Sequence, residues 1–229
     1  MTAKDMAKIT INLVVIYVLG GLLLAFVYAK TSPIMFIKAK EEKEAALKTM
    51  MPEADKIEEI GKWEPHHKHA GYYAAMKCGE VKVNTMKDEK TGKMKEEKEC
   101  INAQELGYIV EGFGKGYSSY INVLVSVDKN FTVKKINILH HGETPGLGDE
   151  IEREYFLKRF EGKTVDTLVV IKGDTADKVE AISGATISSR AVTEDGVKNG
   201  VKMLMEKLSG GEEEKKDDQG KEHDHGSHS

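Results

Sequence analysis

Residues 183–189 read Ser-Gly-Ala-Thr-Ile-Ser-Ser and separate two stretches of different hydrophobic periodicity. Residues 178–182 alternate polar and apolar side chains, which predicts a strand. From about Ser188 to Leu208, apolar side chains recur at helical spacing. Small side chains in the turn, with Ser188 or Ser189 as an N-cap, predict a helix start whose backbone N–H groups can hold a phosphate. An ordinary capped turn is the alternative that these residues alone leave open.

A second motif lies upstream, between a predicted strand and a helical pattern. Residues 141–148 read His-Gly-Glu-Thr-Pro-Gly-Leu-Gly. The proline fixes its own φ, and Gly146 and Gly148 allow backbone conformations that other residues avoid, so the loop can pass close to a flat ring. Glu143 and Thr144 carry polar groups that can hydrogen-bond the edge of such a ring. A purely structural Pro-Gly turn is the alternative.

Together, the two motifs resemble the signatures of the FMN-binding domains found in the G subunit of the Rnf complex and in the C subunit of the sodium-translocating NADH:quinone reductase. In that family the last threonine of Ser-Gly-Ala-Thr is joined through its hydroxyl to the phosphate of FMN, and Thr186 has that position here. The resemblance covers the chain from its N-terminal anchor to about Leu208. It implies an electron-transfer subunit of a membrane-bound, ion-translocating ferredoxin:NAD oxidoreductase, not catalytic alone. The quinone-reductase subunit is the alternative within the family.

The resemblance also implies a cofactor and a set of binding residues. The cofactor is FMN in phosphoester linkage to Thr186, moved there from FAD by a separate, metal-dependent flavin transferase. The family usually has an aspartate shortly before the motif, where this chain has Glu180. Candidate cations for the phosphate or a reduced, anionic flavin are Lys115, Lys172 and Arg190. No catalytic residue and no metal ligand is implied, and the cofactor-binding residues are Thr186, Ser183, Gly184, Ala185, Ser188, Glu143, Thr144, Gly146, Leu147, Tyr117 and Ser118.

Residues 9–29 contain no charged side chain. At about 1.5 Å per residue they span the roughly 30 Å hydrocarbon core of a bilayer, which predicts a single transmembrane helix. A cleaved signal peptide fits less well, because the apolar run exceeds the usual 7 to 15 residues. Flanking lysines would place the large domain inside the cell. The resemblance implies the opposite, with the flavin domain on the extracytoplasmic side of the cell membrane beside other Rnf subunits.

The predicted fold is α+β, an antiparallel sheet with packed helices behind one N-terminal transmembrane helix. Val- and Ile-rich strands are predicted at 106–111, 121–127, 133–139 and 167–171, with a hairpin turn at 128–130 and a helical pattern at 149–160. Pro33 is expected to break the first helix and Pro52 to end the next. The predicted organisation is an N-terminal segment 1–8, the transmembrane helix 9–29, a stalk helix and linker 30–60, the FMN-binding domain 61–208, and a disordered His-rich tail 209–229.

Gly112, Gly114 and Gly116 form a G-x-G-x-G run that no helix follows directly, so a nicotinamide-binding Rossmann site is rejected. The run is predicted to be either a wide bend between strands or one wall of the flavin pocket. Cys78 and Cys100 are isolated, which argues against an iron–sulfur centre. They either pair across a hairpin, whose tip at residues 86–98 is predicted to be exposed and mobile, or remain free thiols.

The composition excludes some functions. A net charge of −4 and a pI near 6.1 provide no basic surface for nucleic acid. The loop histidines at 66, 67 and 69 lack a carboxylate or cysteine at a convincing metal-ligand spacing. A membrane-tethered metal-binding or scaffold protein without flavin is nevertheless the third interpretation, from a different functional class.

Overall fold

The computed structural model describes residues 3–87 and 94–219, and it divides into two compact units, one ending at Ala45 and one beginning at Ala46. Helix α1 (Ala3–Met50) is, among the described residues, the helix long and apolar enough to span a membrane. It continues through Pro33, so the predicted break there is wrong. A proline removes one backbone donor and crowds one carbonyl, and the hydrogen bonds on either side of it can sustain the helix.

The second unit is built on a five-stranded antiparallel sheet. Its strand order is β1-β2-β5-β6-β7. The three predicted strands at 106–111, 121–127 and 133–139 lie within it, which confirms the α+β prediction. The bounds of the five strands are β1 (Lys56–Trp63), β2 (Ala70–Lys77), β5 (Gln104–Lys115), β6 (Tyr120–Asp128) and β7 (Val133–His140).

Strand β1 crosses the predicted domain boundary at residue 60, and neither β1 nor β2 was expected from the sequence. The sequence of β1 is rich in lysine and glutamate and that of β2 in alanine, and all three residue types have low strand propensity. Pairing compensates for this, because β2 is hydrogen-bonded between β1 and β5. Tertiary pairing therefore overrides the local preference of these residues.

Two pairs of strands lie outside the main sheet. Strands β3 (Glu80–Lys87) and β4 (Met94–Ile101) pair antiparallel, and the tip between them, part of the predicted mobile segment, falls outside the described residues. The strand predicted at 167–171 shortens to β8 (Val170–Ile171) and pairs parallel with β9 (Val179–Glu180), so its assignment to the antiparallel sheet is wrong. The N–H of Val170 donates to the Glu194 carboxylate, 3.0 Å away, so a side chain and not a further strand satisfies this backbone donor.

Both faces of the main sheet are covered. The C-terminal residues of α1 and the turn after it pack on one face, where Leu47 and Met50 contact the cluster around Ile109 and Leu124. The other face carries the larger core. Two 3-10 turns, 148–152 and 158–160, flank helix α2 (Glu154–Leu157) within the predicted helical pattern. Buried side chains in that larger core include Phe156, Phe160, Val192, Val197, Val201 and Leu204.

The C-terminal helical region begins earlier and ends later than predicted. Helix α3 (Thr186–Arg190) leads into a π-helical segment (Ala191–Lys198) and then into α4 (Asn199–Gln219). Residues 209–219 are therefore helical, where a disordered tail was expected, and residues 220–229 lie outside the described part of the chain. Glutamate and lysine at 212–216 are good helix formers, and lengthening an existing helix needs no new nucleus.

Of the two alternatives for the G-x-G-x-G run, the wide bend holds only from Gly116, which lies between β5 and β6. Gly112 and Gly114 lie inside strand β5, directly beneath the π-helical segment. A Cβ added at Gly114 would overlap the carbonyl of Ala191, and one at Gly112 would overlap the carbonyl of Gly196. These positions lack side chains because the helix backbone lies where a Cβ would be.

Candidate functional site

The turn before α3 is fixed by its own backbone. Gly184 has φ +80°, a left-handed conformation that favours glycine. The N–H of Ala185 donates to the carbonyl of Ile182 at 3.0 Å, and Ala185 is the N-cap residue. Thr186 is consequently the first residue of the helix. A short strand and a tight turn thus present Thr186 at a helix start, as the motif predicts.

Ser188 and Ser189 do not cap this helix, which corrects the prediction. The helix begins two residues earlier than expected, so both serines lie inside its first turn and are buried. The Ser189 hydroxyl accepts from the N–H of Ile182 (3.0 Å) and donates to the carbonyl of Ala185 (2.9 Å). Ser189 therefore ties the turn to the helix from within. The first N–H in the helix ladder is that of Ser189, so those of residues 186–188 point out of the helix end.

The second motif folds as a tight turn. Gly146 has φ +75°, and the N–H of Leu147 donates to the carbonyl of Thr144 at 3.2 Å. Proline at the second position and glycine in a left-handed conformation at the third are the signature of a type II turn. The carbonyl of Thr144 also accepts from Gly148 at 3.0 Å. This turn leaves the Leu147 side chain about half exposed at the tip of the loop.

Glu143 connects three segments of the chain. Its carboxylate accepts hydrogen bonds from the backbone N–H groups of Tyr117 (3.1 Å), Ser118 (3.0 Å) and Ser119 (3.1 Å). It also accepts from the Ser188 hydroxyl at 2.5 Å. Room for it comes from glycine, since a Cβ at Gly116 would lie 2.5 Å from its Oε1. These four bonds within the chain were not predicted, and the expected contact of Glu143 with a ring edge stays a prediction.

The His141 side chain holds the same loop from behind. Its Nδ1 accepts from the N–H of Glu143 at 3.1 Å, and its Nε2 lies 2.9 Å from a carboxylate oxygen of Glu152. The two ring nitrogens thus face different partners, a backbone donor at Nδ1 and a carboxylate at Nε2. Both ends of the imidazole are thus used to orient the backbone at Glu143.

The same hydrogen bonds determine the ionisation of Glu143. Burial by itself would raise the pKa of this carboxyl, since it disfavours the charged form. The bonds from the Ser188 hydroxyl and from the N–H groups of Ser118, Ser119 and Tyr117 outweigh burial and lower the pKa below its ordinary value of 4.5. Glu143 is therefore an anion at neutral pH.

We expect the stability contribution of Glu143 to be lost in acid. A carboxyl whose folded-state pKa is lowered stabilises the fold above its unfolded pKa, here near 4.5, and loses this effect as the pH falls through the folded value. Urea unfolding at pH 7 should show Glu143→Gln less stable than the native chain by about 2 kcal/mol. At pH 3 the difference should shrink. An equal difference at both pH values would contradict this expectation.

Both motifs line one cleft of about 490 Å³. Three apolar side chains stand exposed around it: Tyr117 (74% exposed), Ile187 (53%) and Leu147 (48%). Of these, Ile187 was not predicted, although an apolar residue at an exposed helix start was a usable signal. The full set of lining residues is Tyr117, Glu143, Thr144, Leu147, Gly148, Lys172, Gly184, Ala185, Thr186, Ile187 and Ser188.

The remaining candidates are placed less centrally. Ser183 lines an adjoining cleft of about 280 Å³ that also includes Thr186. Ser118 and Gly146 support the walls through their backbones but are not lining residues. Among the three candidate cations, Lys172 lines both clefts, whereas Lys115 and Arg190 are exposed and line neither.

Glu180, which stands where the family usually has an aspartate, is held by an arginine. Arg159 donates from Nη1 to the Glu180 carbonyl at 2.6 Å, and its Nη2 lies 3.1 Å from the Glu180 carboxylate. Glu180 lines the adjoining cleft together with Thr186. The longer side chain is thus accommodated beside the motif.

The two cysteines and one loop histidine, His69, have partners within the described part of the chain. Cys78 and Cys100 are joined in a disulfide, which decides the alternative that the sequence left open. His69 lies 3.0 Å from Glu64 in an exposed pair. Within residues 3–87 and 94–219, no three or more histidine, cysteine or acidic side chains are arranged to hold a metal ion.

Residues 116–202 match the family model of the FMN-binding domain, so the cleft belongs to a domain of that class. Over 198 residues the chain is 31% identical to the G subunit of the proton-translocating ferredoxin:NAD(+) oxidoreductase complex of Clostridium ljungdahlii, covering 86% of this chain and 90% of that protein. It therefore belongs to the family of G subunits of ion-translocating oxidoreductase complexes, which confirms the resemblance.

The chain is also similar to an archaeal protein and to a solved structure. It is 28% identical over 195 residues to the G subunit of the ion-translocating oxidoreductase complex of Methanosarcina acetivorans, covering 84% of this chain and 91% of that protein. The crystal structure of Shewanella oneidensis NqrC matches with a TM-score of 0.41 and 24% identity, covering 61% of this chain and 64% of that one.

Proposed function

We propose that this chain is an electron-transfer subunit of a membrane-bound, ion-translocating ferredoxin:NAD oxidoreductase complex and carries FMN in phosphoester linkage to Thr186. The observation that carries this proposal is the cleft in which both motifs meet, with Thr186 at its edge and at a helix start. Family membership supports the choice of complex, because the Clostridium ljungdahlii relative is named as the G subunit of a ferredoxin:NAD(+) oxidoreductase.

The residues present fit FMN. Small-molecule sites typically enclose roughly 300–1,000 Å³, and this cleft encloses about 490 Å³. Tyr117, Leu147 and Ile187 offer apolar surface to a planar ring system. Near Thr186, Lys172 brings a positive charge and the small residues Gly184 and Ala185 leave room for a phosphate. One part of the cleft is thus lined by apolar side chains that suit a ring, and the part near Thr186 is lined by residues that suit a phosphate.

Bound FMN supplies the redox chemistry, since a flavin can accept and pass on one or two electrons. The chain's own residues bind and orient the cofactor. The Thr186 hydroxyl would provide the covalent anchor, the three exposed apolar side chains would hold the ring, and Glu143 holds the loop that carries Tyr117. The relay requires no general acid, base or nucleophile from this chain, so it is not catalytic alone.

Attachment of the cofactor is a phosphoryl-group transfer from FAD. The Thr186 oxygen forms a bond to the phosphorus on the FMN side of the FAD pyrophosphate. The bond from that phosphorus to the bridging oxygen breaks, and AMP leaves and takes up the hydroxyl proton. No electrons are gained or lost. The chain is the acceptor substrate, and a separate flavin transferase is the partner that performs the reaction.

Two experiments test this function. Co-expression of the full chain with a flavin transferase should add the mass of one FMN less one water and give yellow in-gel fluorescence after denaturation. No gain, with the transferase active on another acceptor, would contradict covalent attachment. In membranes that contain the assembled complex, reduced ferredoxin should bleach the flavin absorbance of this subunit and NAD+ should restore it. A redox state that stays unchanged during turnover would contradict the relay.

The chain is proposed to be anchored by α1 among the other subunits of its complex, with the flavin domain on the extracytoplasmic side. The Cys78–Cys100 disulfide supports this side, because disulfides persist mainly in oxidising compartments. The lysines that flank the apolar run favour the opposite side, but that rule weakens for long domains, which cross largely regardless of charge.

Spheroplasts allow the sidedness to be measured. A membrane-impermeant maleimide should label Cys78 and Cys100 in intact spheroplasts after treatment with an impermeant phosphine reductant, and should not label them before it. The double variant Cys78→Ser, Cys100→Ser is the control for specificity. Labelling that occurs only after lysis would place the domain in the cytoplasm, whereas labelling of intact spheroplasts without reduction would contradict the disulfide.

A further inference from the structure

We propose that Glu143 is a positioning residue for covalent flavin attachment: its carboxylate, bonded to Ser188 and to the backbone of 117–119, holds Thr186 where its hydroxyl can react. This inference rests on the proposed attachment of FMN to Thr186. Glu143 does not touch the reacting atoms and acts through the helix that begins at Thr186.

Thr186 follows the turn at residues 182–185 and precedes two buried serines, Ser188 and Ser189. The Ser189 hydroxyl accepts from the N–H of Ile182 and donates to the carbonyl of Ala185, and these two bonds fix the turn before Thr186. The Ser188 hydroxyl donates to the carboxylate of Glu143, which lies 45 residues earlier in the sequence. The Ser189 bonds are local, within seven residues. The link from Ser188 to Glu143 therefore positions this turn relative to the rest of the cleft.

The same carboxylate fixes the opposite wall of the cleft. Tyr117 donates its N–H to Glu143 at 3.1 Å and lines the cleft with its side chain. Glu143 is 6% exposed, so its carboxylate is largely shielded from competing water. A single buried anion thus sets the distance between the wall that carries Tyr117 and the turn that carries Thr186.

A neutral side chain of equal size cannot replace this anion. Three N–H groups and one hydroxyl converge on the two oxygens of Glu143. A carboxylate only accepts, and it offers about four lone-pair positions. Glutamine offers one acceptor oxygen, and its NH2 group would meet N–H groups that also need acceptors. Glu143→Gln is therefore expected to release either the 117–119 loop or Ser188.

The test is the rate of FMN attachment to the full-length chain in detergent. Flavin transferase and FAD are added, and the fraction modified is followed by intact mass. Glu143→Gln should lower the initial rate at saturating FAD by about tenfold or more, because a misplaced acceptor loses reactive geometry. The FAD concentration that gives half the maximal rate should stay within about twofold, because FAD binds to the transferase. The surface variant Glu154→Gln, in an exposed pair with Lys158, should react at the native rate.

Further variants separate positioning from folding. Ser188→Ala leaves Glu143 with its backbone partners and should still slow attachment. The double variant Glu143→Gln, Ser188→Ala should be no slower than Glu143→Gln alone, since both changes remove one link. Glu143→Asp, which keeps the anion, should recover part of the rate. Hydrogen exchange at residues 117–119 and at Ser189 should accelerate in Glu143→Gln, while the sheet amides stay protected.

Each outcome decides a different claim. A native chain that is never modified overturns the proposed function itself. A native chain that is modified, with Glu143→Gln and Ser188→Ala modified equally fast, overturns the positioning role and leaves the proposed function standing. If Glu143→Gln fails to fold, Ser188→Ala decides the matter: slow attachment supports the inference, and the native rate overturns it.

Discussion

The Thr186→Ala variant is expected to carry no covalently attached flavin, whereas the native chain becomes fully labelled beside an active flavin transferase. Alanine has no hydroxyl, so no phosphoester can form at position 186. The substitution should leave the fold intact, because Thr186 is only partly buried and alanine has a high helix propensity. The effect is measured by intact mass and by in-gel fluorescence, and Thr186→Ala should show neither the mass gain nor the yellow fluorescence.

Two matched variants make this result specific. Ser209→Ala removes an exposed hydroxyl on α4 that lines neither cleft, and it should leave the mass gain unchanged. Thr186→Ser keeps a hydroxyl at the same helix position and should retain attachment. Flavin that stays bound to Thr186→Ala after denaturation would show that another residue is the acceptor and would overturn the assignment of Thr186.

The Gly114→Ala variant is expected to lose much of the stability of the folded domain. A Cβ at this position would overlap the Ala191 carbonyl, which is backbone and cannot rotate away as a side chain can. The π-helical segment would have to lift from strand β5, exposing the buried Val192 and Val197. Overpacking of a close contact typically costs 1–3 kcal/mol, and we expect about 3 kcal/mol here.

Urea unfolding of the native and variant chains measures this effect. Gly79→Ala is the control, because its added Cβ would make only ordinary contacts, the nearest at 3.4 Å. This control should change the stability by about 0.5 kcal/mol or less. If Gly114→Ala were as stable as Gly79→Ala, the close approach of the helix to β5 could not be the reason for glycine in this strand.

Residue type and local pattern were sufficient to predict the central elements. The Val- and Ile-rich stretches of β5, β6 and β7 have high strand propensity, and a short turn joins β6 to β7. Apolar spacing after residue 186 predicted the packed helix, and the two small-residue motifs predicted the cleft. In each of these cases the local conformational preference agrees with the tertiary environment, so these elements could be predicted without knowledge of distant contacts.

The remaining features depend on partners distant in sequence. Ser188 and Ser189 looked like N-caps, because serine favours that position, yet one bonds Glu143 and the other bonds the preceding turn. A carboxylate in a glycine-rich loop likewise gives no sign that three N–H groups converge on it, as they do on Glu143. Strand β2, rich in alanine, forms because both of its edges are paired.

Glycine and proline do not always interrupt a strand or a helix in this chain. Gly112 and Gly114 lie within a continuous strand and make space for a helix backbone, which depends on an element about 80 residues away. Pro33 lies within a continuous helix. At Pro145 and Gly146 the Pro-Gly turn, which the sequence left open as the alternative to a flavin contact, is present, and its geometry is contained within four residues.

The most direct test of covalent attachment is to locate the flavin on a single peptide. Trypsin cleaves after Lys178 and Arg190, which releases residues 179–190 with Thr186 and three serines. In the native chain, matured with a flavin transferase, this peptide should carry one FMN less one water, and fragment ions should place it on Thr186. An unmodified peptide from a yellow chain, or flavin on one of the serines, would contradict covalent attachment at Thr186.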